Sequence, residues 1–88
     1  MSHMGQTFAS GSLTPGRVSL LQHLLGGPHT PTELAAIEDK HLSEISRNLA
    51  NLKRMGFVVA SQHGSRERYY RLTGEGYAAY ATFMQRIR

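Results

Sequence analysis

Apolar residues recur at helical spacing in four stretches of the chain, and two short β-prone runs lie between the third and fourth stretches. Each of the first two helices is predicted to begin at a Thr-Pro pair, Thr14-Pro15 and Thr30-Pro31. In such a pair the hydroxyl can cap the helix, and proline lacks only an N–H that would have no helical acceptor. The first helix is expected to end at residues 26–28 (GGP) and the second at residues 38–40 (EDK).

The third helix has the clearest amphipathic pattern, because its apolar residues from Leu42 to Leu52 are spaced 3, 4 and 3. Gly56 follows at the position where a left-handed helix cap costs least. The second helix is expected to pack on this apolar stripe. The predicted core face consists of Val18, Leu21, Leu24 and Leu25, with Leu20 at its edge, of Leu34, Ala35 and Ile37, and of Leu42, Ile45, Leu49, Leu52 and Met55.

The two β-prone runs are residues 57–60 and 68–72, and the loop between them is too long for a two-residue hairpin. Thr73 is placed to cap a last helix, although Gly74 and Gly76 weaken its first turn. The chain is therefore predicted to be mainly α with a small β wing, an α+β protein in the order α-α-α-β-β-α. That order is a helix-turn-helix followed by a wing, a winged helix-turn-helix, whose second motif helix fits the DNA major groove.

The length of 88 residues allows one domain, which is predicted to span residues 13–88. Residues 1–12 are expected to form a disordered tail, and the opening MSHM resembles an expression-vector remnant. The chain has no cysteine and no apolar run long enough to span a membrane, so we expect a cytoplasmic, nucleoid-associated protein. A domain this small gains stability from a partner chain, which favours a homodimer formed through residues 73–88.

The positive charge of the chain is concentrated in one stretch. The net charge is +4, and residues 40–71 hold seven basic residues against two acidic ones. A basic block confined to one structural unit is typical of a protein that binds a polyanion. The alternative interpretation is a solvated surface that happens to be basic.

Residues 41–55 are predicted to be the recognition helix in the major groove, and residues 61–68 a wing on the DNA backbone or in the minor groove. On the polar face of the recognition helix, Arg47 can read guanine, Asn51 adenine and Glu44 the cytosine amino group. The candidate DNA-binding residues are Thr30, Thr32, His41, Ser43, Glu44, Ser46, Arg47, Asn51, Arg54, His63, Ser65, Arg66 and Arg68.

Several motifs resemble those of the winged-helix transcription regulators of the ArsR and MarR type. Within that group, the resemblance is greatest to small archaeal regulators. The motifs are HLSxxSRxLxxL at residues 41–52, GFV at residues 56–58 and LTxxG at residues 72–76. The resemblance covers about residues 14–80 and implies a homodimer on a pseudo-palindromic operator, with the terminal helices in the interface. Asp39 stands where the family usually has glycine, and Lys40 where it usually has an apolar residue.

The apolar stripe of the last helix is predicted to form the dimer interface. Alternatively, this stripe packs into the core of its own chain. The candidate interface residues are Tyr77, Tyr80, Ala81, Phe83, Met84 and Ile87.

Other classes of function find little support in the sequence. The chain has no phosphate-binding glycine loop, nucleophile motif or paired carboxylates, so we expect no enzyme and no cofactor. The histidines at 23, 29, 41 and 63 have no compact ligand spacing, so no metal site is predicted. Two alternatives to a sequence-specific regulator of transcription remain: a winged-helix protein-interaction module of a transcription, replication or chromatin assembly, and a non-specific architectural DNA-binding protein.

Overall fold

A computed structural model of the chain describes residues 13–62 and 66–86. It contains the predicted elements in the predicted order, which confirms the winged helix-turn-helix. The predicted tail at residues 1–12, the wing tip at residues 63–65 and the last two residues lie outside the described residues. The elements are α1 (Pro15–Leu24), α2 (Pro31–Glu38), α3 (Leu42–Arg54), β1 (Val58–Ser61), β2 (Tyr69–Leu72) and α4 (Gly74–Arg86).

Threonine hydroxyls cap the three helices whose starts were predicted from a threonine. The Thr14 hydroxyl accepts the Arg17 N–H at 3.4 Å, and the Thr73 hydroxyl accepts the N–H of residue 76 at 3.0 Å. Thr30 and Glu33 form a reciprocal capping box, with hydrogen bonds of 3.1 Å and 2.9 Å. These caps bind backbone N–H groups that have no acceptor within the helix, so they define where each helix begins.

The turn between α2 and α3 is closed by Asp39 in a left-handed conformation, with φ 57° and ψ 50°. The next N–H, that of Lys40, donates to the Ala35 carbonyl at 3.0 Å and completes the helix end. Aspartate adopts this conformation more readily than most residues, so it can replace the glycine that is usual in this turn. Gly56, with φ 83°, ends α3 as predicted.

The wing is an antiparallel hairpin in which Val58 lies opposite Leu72, and Ser61 opposite Tyr69. A further pair of hydrogen bonds, of 2.8 Å and 3.1 Å, joins the backbone of Tyr70 to that of His29. The loop between α1 and α2 is therefore fixed to the outer strand of the wing. The sequence pattern had not predicted this link.

The core is formed mainly by leucines of α1, α2 and α3, with Val58 from the wing. Three predicted core residues are instead exposed, namely Leu25 (42 %), Ile37 (51 %) and Leu42 (50 %). Each lies at a helix end, where its side chain projects past the packed face. Leu20, predicted at the edge, is fully buried because α1 packs against α3, α4 and β2. The buried hydrophobic residues are Val18, Leu20, Leu21, Leu24, Leu34, Ile45, Leu49, Leu52 and Val58.

Two properties of the described part of the chain bear on function. None of its helices is long and apolar enough to cross a membrane. Within the same residues, no group of three or more His, Asp or Glu side chains lies close enough together to hold a metal ion.

Candidate nucleic-acid interface

The outward face of α3 presents short polar and basic side chains. Ile45, Leu49 and Leu52 anchor the helix in the core, so residues about half a turn away point outward. Most of the predicted base-reading residues lie on this side, since Ser43, Ser46, Arg47 and Arg54 are exposed and Glu44 and Asn51 are half-buried.

Arg47 is the most available base-reading group on this face. Its side chain is exposed and has no hydrogen-bond or ion-pair partner among the described residues. Asn51 is differently placed, because its side-chain oxygen accepts a hydrogen bond from the Arg54 guanidinium. Bidentate recognition of adenine uses both the oxygen and the amide of an asparagine. Asn51 can therefore read adenine in that way if its oxygen accepts a second hydrogen bond beside that of Arg54, or if Arg54 releases it.

Glu44 is held near the turn of the motif by Lys40. The Lys40 ammonium lies 3.9 Å from a carboxylate oxygen of Glu44 and 3.9 Å from one of Glu38. Lys40 thus bridges the end of α2 and the first turn of α3. The lysine that departs from the family pattern therefore contacts the turn through its charge and not through apolar packing, and exposed ion pairs of this kind contribute at most about 1 kcal/mol.

Glu38 is the centre of a polar cluster that joins α1 to this turn, and its side chain is only 10 % exposed. Its Oε2 accepts a hydrogen bond from the Ser19 hydroxyl at 2.5 Å and lies 2.6 Å from Nε2 of His23. Partial burial acts to raise the pKa of Glu38. The hydrogen bonds of Ser19 and His23, with the charges of His23 and Lys40, outweigh burial and hold the pKa below its ordinary value.

Sequence analysis missed this cluster, since Ser19 and His23 are separated from Glu38 by 19 and 15 residues. A second unpredicted link joins α1 to α3, where Nε of Arg17 donates to the side-chain oxygen of Asn48 at 3.2 Å. No periodicity in the sequence points to either contact. The first link joins α1 to the end of α2, and the second positions the recognition helix relative to the first helix.

The predicted phosphate contacts near the helix starts occupy different environments. Thr30 is buried, with 4 % exposure, and its hydroxyl is engaged in the capping box. Its side chain is therefore part of the helix cap and does not face solvent. Thr32 is exposed in the first turn of α2, and His41 is exposed as the N-cap of α3 without a side-chain cap hydrogen bond.

On the wing, Arg66 and Arg68 are exposed, and the side-chain amide of Gln62 donates to the Arg66 carbonyl at 3.5 Å. The candidate residues His63 and Ser65 lie outside the described residues.

The last helix contributes both to the core and to a surface groove. Tyr80 packs against the core cluster, whereas Tyr77 is 59 % exposed. Of the predicted interface residues, Ala81, Phe83 and Met84 are half-buried, and Ile87 lies outside the described residues. A cavity of about 460 Å³ runs along α4, and it is lined by Leu13, Phe57, Glu75, Ala78, Ala79, Thr82, Phe83 and Arg86.

The sequence of residues 14–59 matches the model of the bacterial regulatory proteins of the arsR family. The chain belongs to this family. The match spans the first three helices and the first half of β1, which includes the whole helix-turn-helix and the start of the wing. No curated protein matches the chain.

Solved structures agree with this membership. A possible transcriptional regulatory protein of Mycobacterium bovis is 27 % identical, with 98 % of this chain and 94 % of that one covered and a TM-score of 0.76. A possible transcriptional regulator for arsenical resistance is 35 % identical, with 78 % and 71 % covered and a TM-score of 0.64.

A cysteine-to-serine mutant of Lactococcus lactis ZitR in complex with DNA shares the fold, with 16 % identity and a TM-score of 0.73. The alignment covers 83 % of this chain and 51 % of that one, so the chain spans about half the length of ZitR. The family and the fold are those of DNA-binding regulators, which confirms the predicted ArsR/MarR-like class.

Proposed function

We propose that this ArsR-family chain regulates transcription by binding specific sequences of duplex DNA, with α3 in the major groove and the wing on the backbone or in the adjacent minor groove. The observation that carries the proposal is the outward face of α3, which is polar, short-chained and centred on an exposed Arg47. Such a face can approach base edges closely, and an unpaired guanidinium can bind guanine bidentately. For a protein whose partner is duplex DNA, we expect a cytoplasmic location on the nucleoid.

The role of Arg47 can be tested by replacing it with alanine. Duplexes selected from a random pool by the wild-type protein provide the reference site. Arg47→Ala is expected to cost about 1–3 kcal/mol on that site and to relax preference at one base step, because one bidentate contact is lost. Binding is measured by fluorescence anisotropy on the selected duplex and on its single-base variants.

The matched control is Arg71→Ala, which removes the same charge from an exposed position on the wing. This control should leave base preference unchanged. The role assigned to α3 would be refuted if both variants lost base preference equally, or if Arg47→Ala kept the base preference of the wild type.

The homodimer is proposed on the strength of the groove along α4. Its lining is mostly apolar, and Glu75 and Arg86 at the groove provide charges of both signs that a second copy can match. Covering such a face stabilises a small domain more than leaving it in water. Two copies would also present two recognition helices to a pseudo-palindromic site.

A charge placed in the groove tests the dimer without removing any core packing. Ala78→Glu puts a carboxylate at an exposed position that lines the groove, and Gln85→Glu adds the same charge at an exposed position of α4 outside the lining. Sedimentation equilibrium should show a dimer for the wild type and for Gln85→Glu, and a monomer for Ala78→Glu. A wild-type monomer at all concentrations, or a dimer in all three proteins, would contradict an interface at this groove.

The competing function, a protein-interaction module, requires an apolar surface where α3 points outward. Leu42 is the one large apolar residue exposed on α3, and it lies at the first helical position, beside polar Ser43 and Ser46. The polar surface favours DNA as the partner. A wild-type protein that binds no duplex at low salt would favour the competing function.

A further inference from the structure

A polar cavity of about 250 Å³ lies where the outer end of the hairpin meets the C-terminal half of α3. Among the described residues, those that line it include two cations and no carboxylate. They are Lys53, Ala60, Ser61, Gln62 and Arg68. Only Arg68 was among the residues predicted to bind DNA, so Lys53, Ser61 and Gln62 have no role assigned so far.

The cavity follows from the alternation of side chains along the hairpin. Val58 is buried in the core, and Ala60 points to the same face of the sheet two residues further along. On the opposite strand, Tyr70 lies opposite Ala60, and Arg68 has the same parity as Tyr70. The face of the hairpin that turns toward the helices is thus apolar near the core and polar toward its outer end.

Lys53 closes the cavity from the side of the recognition helix. It follows Ser46 by seven residues, which is two helical turns, so both side chains lie along the same side of α3. This side faces the wing, since Lys53 lines the same cavity as Ser61 and Arg68. The cavity therefore separates the base-reading face of α3 from the wing.

With α3 in the major groove and the wing toward the adjacent minor groove, one DNA strand has to pass between them. The phosphates of that strand separate the two grooves, and they face whatever surface joins α3 to the wing. Here that surface is a cationic cavity. A phosphate diester would be held by the charges of Lys53 and Arg68.

We propose that this cavity seats one backbone phosphate of the DNA strand that runs between α3 and the wing. The proposal rests on the proposed function, and it adds Lys53 as a residue that fixes the register of α3 on the duplex. A phosphate contact of this kind carries no base preference, so it contributes equally to binding of every sequence.

The test compares Lys53→Ala and Arg68→Ala with Arg71→Ala as the matched control. Arg71 lies opposite Val59 and points to the other face of the hairpin, so its removal changes the net charge equally but not the cavity. All three side chains are exposed, and circular dichroism checks that each variant folds. Affinity for a selected duplex and for an unrelated duplex is measured by fluorescence anisotropy between 50 and 200 mM salt.

Each cavity variant should bind both duplexes more weakly, with the salt slope reduced by at most about 0.9 per bound protomer, the value for one phosphate. Over this fourfold range of salt, one phosphate corresponds to about a 3.5-fold difference in affinity per protomer. The double variant Lys53→Ala/Arg68→Ala should lose about 0.9 of the slope in total and no more, because both cations act on the same phosphate. Arg71→Ala should keep the wild-type slope.

Three results would overturn the proposal. Equal slope changes in all three single variants would show a general charge effect, and unchanged slopes in the cavity variants would show that the strand does not enter the cavity. Backbone amide shifts at Ser61 on addition of inorganic phosphate, with unchanged DNA slopes, would show a site for free anions only. A wild-type protein that binds neither duplex would instead overturn the proposed function itself, and this outcome is visible before any variant is made.

Discussion

Replacement of Gly76 by alanine tests how closely α4 packs against the chain that follows α3. A Cβ atom at this buried position would lie 2.0 Å from the carbonyl oxygen of Phe57 and 2.9 Å from its carbonyl carbon. Ordinary van der Waals contact begins at 3.4 Å, so the two segments would have to separate by about 1.4 Å. The same carbonyl accepts the Thr73 N–H at 3.1 Å, and that hydrogen bond would be disturbed as well.

The expected net loss in the free energy of unfolding is about 2 kcal/mol. Overpacking against backbone costs about 1–3 kcal/mol, and a disturbed backbone hydrogen bond adds about 1 kcal/mol. The greater helix propensity of alanine returns up to about 1 kcal/mol. For a domain of this size, a loss of about 2 kcal/mol lowers Tm by roughly 8–16 °C.

Gly74→Ala is the matched control, because a Cβ atom at Gly74 meets nothing within 4 Å. The free energy of unfolding of this variant should lie within about 0.5 kcal/mol of that of the wild type, as is usual for surface substitutions. Stability is measured by urea denaturation followed by circular dichroism. The reasoning is refuted if Gly76→Ala is as stable as Gly74→Ala, since the close approach of α4 to Phe57 would then be wrong.

Two further predictions concern the helix-turn-helix. The pKa of Glu38 is lowered in the folded protein, so its ionised form contributes stability above the ordinary value of 4.5, and this contribution is lost as pH falls through the lowered pKa. Glu38→Gln should therefore be less stable at pH 7 by about 1–2 kcal/mol and lose less stability on acidification, as measured by denaturation at a series of pH values. Asp39→Val should lower the free energy of unfolding by about 1–2 kcal/mol, whereas Asp39→Gly should not, because only the β-branched residue is strained at φ 57°. Equal changes in the free energy of unfolding of the two variants would contradict a left-handed turn.

Local signals in the sequence were sufficient to predict the order of the elements and the positions of most helix ends. The caps at Thr14, Thr30 and Thr73 depend on hydroxyls placed a few residues before the backbone N–H groups that donate to them, and such short-range chemistry is visible in the sequence. The same holds for the left-handed conformations of Asp39 and Gly56. Each of these features depends only on residues that are near one another in the chain.

Features that depend on contacts between distant residues could not be predicted in the same way. Apolar spacing placed Leu42 in the core, yet it is exposed because the packed face of α3 begins at Ile45. The polar cluster around Glu38 and the cavity beside Lys53 each join elements that are far apart in sequence. The candidate base-reading face was predictable, because helical periodicity alone decides which side of α3 opposes the core.

The central claim is that α3 reads DNA sequence, and the ratio of specific to non-specific affinity tests it most directly. The wild-type protein is used to select duplexes from a random pool, and binding to the selected and to a scrambled duplex is then measured at one fixed salt concentration. We expect enrichment of a site with two symmetric halves, bound at least about 10³-fold more tightly than the scrambled duplex. A pool without enrichment, and equal affinity for both duplexes, would contradict the claim.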